Sequence, residues 1–185
     1  LPEGTRPSDG IAGVLEGMAI DRRVENRVFA ATTLALLGDY DVAADLLCAE
    51  ASGRRLEGRQ WRMLESAVVP LALSRGEASA ERLRRAWEDR GPPGRAPLLD
   101  AMARRPTDAD LAAGADRMLV EALGDGSLVV RRAALVCLEA IVRPGAADRA
   151  RFRPDGTEDS RRDGAAWWRT QQQRGLVRRP RAETP

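Results

Sequence analysis

The stretch from Asp125 to Val142, DGSLVVRRAALVCLEAIV, constrains this chain more than any other. Val130, Ala134, Cys137, Leu138 and Ile141 recur at helical spacing, and Leu128, Leu135 and Val142 extend the apolar surface almost all the way round. Only Arg131, Arg132 and Glu139 interrupt it. A helix with one apolar stripe needs one partner; a helix this apolar must be covered on several sides. Asp125, Gly126 and Ser127 form the turn in front of it, with Ser127 as a natural N-cap. Other helices are therefore expected to pack round this one.

The rest of the chain can supply them. Aromatic residues make up 4% of the sequence, β-branched residues are sparse, and Ala, Leu, Arg and Glu dominate, a composition that favours helix. Residues 1–7 read as a linker, 8–142 as a helical domain and 143–185 as a basic tail with one short helix at about 158–174 and a disordered end. Ser8 or Asp9 can cap a first helix carrying Ile11, Val14, Leu15 and Met18. A second, about Asp21 to Leu37, has Val24, Val28, Ala31 and Leu34 on one face and Gly38 as its stop. A third spans about Val42 to Ala51. A fourth spans Gly58 to Ser74, with Trp61, Leu64, Val68, Leu71 and Ala72 inward; Pro70 should kink or split it. A fifth, about Ala78 to Asp89, ends before Gly91-Pro92-Pro93-Gly94, the strongest break in the sequence. A short helix from Pro97 to Arg104 follows, and then one capped by Thr107 or Asp108 and running to Leu123.

The chemistry-bearing residues are conspicuous by type. All 30 basic residues are arginine, with no lysine and no histidine. The commonest general base and metal ligand is therefore missing, as are the Schiff-base and P-loop lysines. No serine stands in a nucleophile elbow. The carboxylate pairs Asp108 with Asp110 and Glu158 with Asp159 fit helix capping and solvation better than acid–base catalysis. Asp39 and Asp41 lack the remaining ligands of a calcium loop. Cys48 and Cys137 sit in apolar helical runs and read as buried, unpaired thiols. No catalytic set, metal set or cofactor site is expected. No apolar run is long enough to cross a membrane. The chain begins at Leu1 rather than methionine, which reads as a processed product or a piece of a longer, even membrane-associated, protein.

Two segments repeat a pattern. With Asp21 placed on Asp125, Val24 falls on Leu128, Arg27 on Arg131, Ala30 on Ala134, Leu34 on Leu138 and Leu37 on Ile141. This resembles the second helix of a HEAT-type repeat, whose fingerprint is an Asp in the inter-helix turn, then Val-Arg, then spaced Ala and Leu. Asp125, Val130, Arg131, Ala134 and Leu138 match it, whereas the first copy has Asn26 at the position of Val130. Arg131 is thus expected to matter more for stability than Arg132. The tail, with its Phe152-Arg-Pro-Asp turn, Arg161-Arg162 pair and Ala-Trp-Trp-Arg run ending at Arg169, resembles segments that follow a last HEAT-like helix in planctomycete-type bacterial proteins. That resemblance covers about residues 107–180 and brings no activity with it.

The expected fold is all-α: an irregular HEAT-like solenoid of helical hairpins with a C-terminal, Trp-bearing tail helix. The expected function is a non-catalytic scaffold that presents a helical groove to a protein partner. The alternative is a nucleic-acid-binding solenoid, because arginine with tryptophan can contact phosphates and stack on bases. Up to residue 142 the chain holds 19 arginines against 22 acids; beyond it, 11 against 6. Arg54, Arg55, Arg59 and Trp61 at one turn, and Arg161, Arg162, Trp167 and Trp168 in the tail, are the candidate interaction residues.

Overall fold

The computed structural model describes residues 7–51, 53–142 and 151–177, with side chains omitted for residues 7–9 and 12. Residues 1–6 of the expected 1–7 linker and the chain end from residue 178 lie outside the described residues, and Pro7 already belongs to the first helix. Within them the chain is all-helical, without a strand. It packs as two compact units, Leu1–Pro97 and Leu98–Pro185, so that the division falls just after the glycine–proline break.

The first unit holds α1 (Pro7–Ala19), α2 (Val24–Leu36), α3 (Asp41–Cys48), α4 (Gly58–Ser74) and α5 (Glu77–Arg90). Helix α1 packs on α2, α2 on α3 and α4, and α3 on α5. Small side chains let them approach: Ala30, Ala31, Ala35, Ala43, Ala44 and Ala72 are fully buried. Gly38 ends α2 at φ 91°, a left-handed conformation that L-residues resist, and the N–H groups of Gly38 and Asp39 close on the carbonyls of Ala35 and Leu34. Past α4, Arg75 donates to the carbonyls of Ala35 (3.2 Å) and Leu36 (2.9 Å) at the end of α2. The first turns of α2 and α4 also face one another, so the two helices run in the same direction. Pro70 does not split α4; it is exposed, so the carbonyl of Ser66, which loses its helical N–H partner, is open to water. Helix α1 departs from expectation too: Leu15 is buried, but Ile11 and Val14 are exposed.

The second unit starts near the beginning of α6 (Ala96–Ala103). The helix expected from Thr107 to Leu123 is interrupted. Thr107 caps α7 (Asp108–Asp110) in a reciprocal box with Asp110, a π-helical turn follows over Leu111–Ala115, and α8 (Asp116–Ala122) resumes. The cause is Gly114, whose φ of 114° no regular helix contains. Helix α9 (Leu128–Val142) is the core, with Val130, Ala134 and Leu138 fully covered. Its arginines do not interrupt that surface; Arg131 and Arg132 are buried with it. Arg131 donates from Nε to the carbonyl of Pro154 (2.8 Å) and from Nη1 to those of Asp125 (2.7 Å) and Gly126 (2.8 Å). Arg132 approaches Asp155 at 3.8 Å. Helix α10 (Glu158–Gln173) packs on α8, and Gln172 Nε2 donates to Asp116. Order extends past the expected end of this helix: Val177 is buried.

The aligned segments make matching contacts. Asp21 accepts from the N–H of Arg23 (2.7 Å) and Asp125 from that of Ser127 (2.8 Å), the same two-residue step. Arg27, buried like Arg131, donates to the carbonyls of Arg54 (3.3 Å) and Gly53 (3.5 Å) in the turn that follows. The alignment ends at Leu37, which is exposed where Ile141 is buried.

Two expectations follow. Arg131→Ala leaves the part-buried bonds to the carbonyls of Asp125, Gly126 and Pro154 unmade and should lower stability by about 2 kcal/mol in denaturant titration, and more than Arg132→Ala; equal losses would dissolve the distinction. Gly164 lies inside α10, where alanine ordinarily stabilises a helix by about 1 kcal/mol. Here an added Cβ would sit 2.5 Å from the carbonyl oxygen of Arg151 and 2.8 Å from the Cα of Phe152. Gly164→Ala should therefore destabilise by about 2 kcal/mol or more, and a gain would mean that the two segments are not in contact.

Candidate functional site

Burial on one face of α2 leaves its other face bare. Arg27, Ala30, Ala31, Leu34 and Ala35 point inward, which turns Phe29 and Leu36 outward at 57% and 51% exposure. On α4 the inward set is Trp61, Leu64, Val68, Val69 and Ala72, and Met63 is left 55% exposed. Because the two helices lie side by side, these residues meet. Glu25, Val28 and Phe29 from α2 and Arg59, Gln60 and Met63 from α4 line a groove of about 410 Å³. Its walls are apolar, with Glu25 on one bank and Arg59 on the other. Among the described residues neither charge has an ion-pair partner. Leu37 and Ile20, at 66% and 79% exposure, add apolar surface nearby in sequence. Neither Phe29 nor Met63 was singled out from sequence. The signal was available, because both fall off the apolar stripe of their own helix.

A second groove, of about 300 Å³, runs along α10. Arg161, Arg162 and Arg169 line it with Glu158, Ala165 and Ala166, opposite Leu123 and Gly124. Arg161 donates to the carbonyl of Gly156 (3.3 Å), and Arg162 pairs with Glu158 (3.3 Å) and Asp159 (3.2 Å). Arg169 has no partner among the described residues.

The candidate residues divide by burial. Trp61 is 2% exposed and its Nε1 donates to the carbonyl of Leu47 (2.9 Å), so its ring serves the interior. Trp168 is fully buried, and Trp167 meets it edge to face at 4.9 Å, with the Arg151 guanidinium 5.8 Å from the Trp167 ring centre. The stacking platform expected beside the arginines is thus mostly engaged with the protein itself. Arg54 pairs with Asp45 (2.6 Å), Arg55 is half-buried, and Arg59 is exposed at the first groove.

Several carboxylates have local partners. Asp39 accepts from the N–H of Asp41 (3.0 Å). Bonds from Thr107 hold Asp110 below the usual carboxylate range. Asp21 is held low by the N–H of Arg23 and the side chain of Asn26. Glu81 is pulled down to about 2 by hydrogen bonds from Arg84 and Arg85. These are turn, cap and helix-surface contacts. No described helix is long and apolar enough to cross a membrane. No protein-family model matches this chain, and neither the curated proteins nor the solved structures contain a significant match to it.

Cys137 is 2% exposed, and its thiol donates to the carbonyl of Met102 (3.0 Å). Cys48 departs from the expected full burial, being half-buried near Gly91, and the two cysteines are not joined in a disulfide. Burial, then the charges of Asp45 and Glu50, push the Cys48 thiol up to about 12. An ordinary cysteine ionises near 8.5, so between there and about 12 the unfolded chain loses a proton that the folded chain keeps. Stability is therefore expected to fall as pH rises through that window, and Cys48→Ser should flatten the decline. Rapid iodoacetamide labelling of Cys48 in the native protein at pH 8 would overturn this expectation.

Proposed function

We propose that this chain is a non-catalytic protein-interaction module built from stacked HEAT-like helical hairpins, and that the α2/α4 face is its docking surface. One observation carries the reading: Phe29 and Met63, two large apolar side chains, stand more than half exposed opposite one another in a groove between parallel helices. Covering a side chain of that size is worth about 1.5–3 kcal/mol, so a partner has a clear energetic reason to bind there. The side-by-side packing of α2 on α4 and of α3 on α5 supports the hairpin stack, as do the matched contacts of Asp21 with Asp125 and of Arg27 with Arg131.

The second reading, nucleic-acid binding, draws on Arg161, Arg162 and Arg169 along the α10 groove. It is weakened by the acids paired with Arg162 and by the burial of Trp168.

The test separates the two faces. The chain, as bait in an extract of its source cells, should capture a protein that Phe29→Asp and Met63→Asp each reduce about tenfold or more, while Arg161→Gln with Arg169→Gln has little effect. Fluorescent single- and double-stranded oligonucleotides should show no binding that survives physiological salt. Salt-dependent binding lost with the tail substitutions would favour the second reading.

A further inference from the structure

Taking that docking face as given, we infer that its occupant is a second copy of this chain, paired face to face about a two-fold axis running along the α2/α4 groove. The argument is one of register. Glu25 on α2 and Arg59 on α4 lie on opposite banks at the same end of the groove, and Phe29 and Met63 face one another one turn further on. The same offset carried along both helices sets Thr33 level with Ala67 and Leu36 level with Pro70. An axis along the groove lays α2 of one copy on α4 of the other, running in the same direction. Each Glu25 then meets the partner copy's Arg59, and each Phe29 meets the partner copy's Met63.

Further along, Thr33 and Ala67 are small enough to let the backbones close, and Leu36 falls on Pro70. Each contact occurs twice, as an isologous interface requires. The complementarity comes from the face having one acidic and one basic bank at matching heights. An unrelated partner that covers both banks would need two independent charge matches; a second copy supplies both by symmetry.

The closing experiment measures the molar mass of the intact chain by light scattering and sedimentation, up to about 100 µM, where a micromolar dimer is largely formed. Wild type should approach twice the single-chain mass. Glu25→Arg alone sets two arginines against each other on both sides of the axis, and Arg59→Glu alone sets two glutamates. Each should weaken association about tenfold or more. The double variant Glu25→Arg with Arg59→Glu should restore it. Mixing the two single variants should also restore it, because each copy then meets its opposite charge. These positions are exposed, and circular dichroism on each variant checks that the fold is kept.

A single-chain mass across the whole range overturns the self-pairing and leaves the docking reading to the capture experiment. A dimer indifferent to the single charge changes and to Phe29→Asp overturns the placement on this face. Rescue by the mixed variants supports the pairing, since a merely structural role for either residue would give no rescue between chains.

Discussion

A guanidinium brought into a protein interior is tolerable only where acceptors meet it, and the carbonyls left over at turns and helix ends are acceptors in want of donors. Arg131 joins these two needs. From the first turn of α9, the helix with the most buried residues, it reaches the turn that precedes that helix and, through Pro154, the segment that leads to α10. Arg27 does similar work on α2, holding the turn between α3 and α4. Connecting segments with few large side chains of their own are thereby tied to rigid helices. The charge cannot be replaced by an apolar group without leaving those carbonyls unpaired.

Around these clamps the packing is close because the residues are small. Fully buried alanines line α2, α3 and α4; Trp61 donates to the Leu47 carbonyl and the Tyr40 hydroxyl meets Ser79 at 2.6 Å, whereas the indole N–H groups of Trp87 and Trp168 are buried without a partner among the described residues. Close packing of α2 on α4 has an outward consequence. Two parallel helices whose inner faces are spent on alanine and leucine contacts bring their outer residues level, and here those are apolar. The docking surface proposed above is the far side of the core.

The arginine content reads differently once the contacts are known. Arg84 bonds Glu81 and Glu88, Arg75 caps α2, and Arg27 and Arg131 are interior. A chain without lysine uses arginine for caps, clamps and helix-surface pairs alike, because the planar fork suits carbonyl and carboxylate partners. Clusters of arginine in the sequence are therefore a weak guide to a polyanion site here.

The sequence by itself determined the local structure. Helical period, caps and breakers placed α2, α4, α5, α9 and α10 within a few residues, and the Asp and Arg spacing marked two segments whose turn aspartates accept the same two-residue N–H bond and whose arginines are both buried. These properties depend on neighbours in the chain. Tertiary structure decided the rest. It left Pro70 harmless by setting it on an outer face, gave Gly164 its meaning through the backbone of Arg151, and buried Trp61 and Trp168. It also brought Glu25 and Phe29 opposite Arg59 and Met63, residues 34 positions apart in the chain. Helical periodicity says which residues share a face; it does not say which helix lies alongside, and a groove belongs to two helices at once.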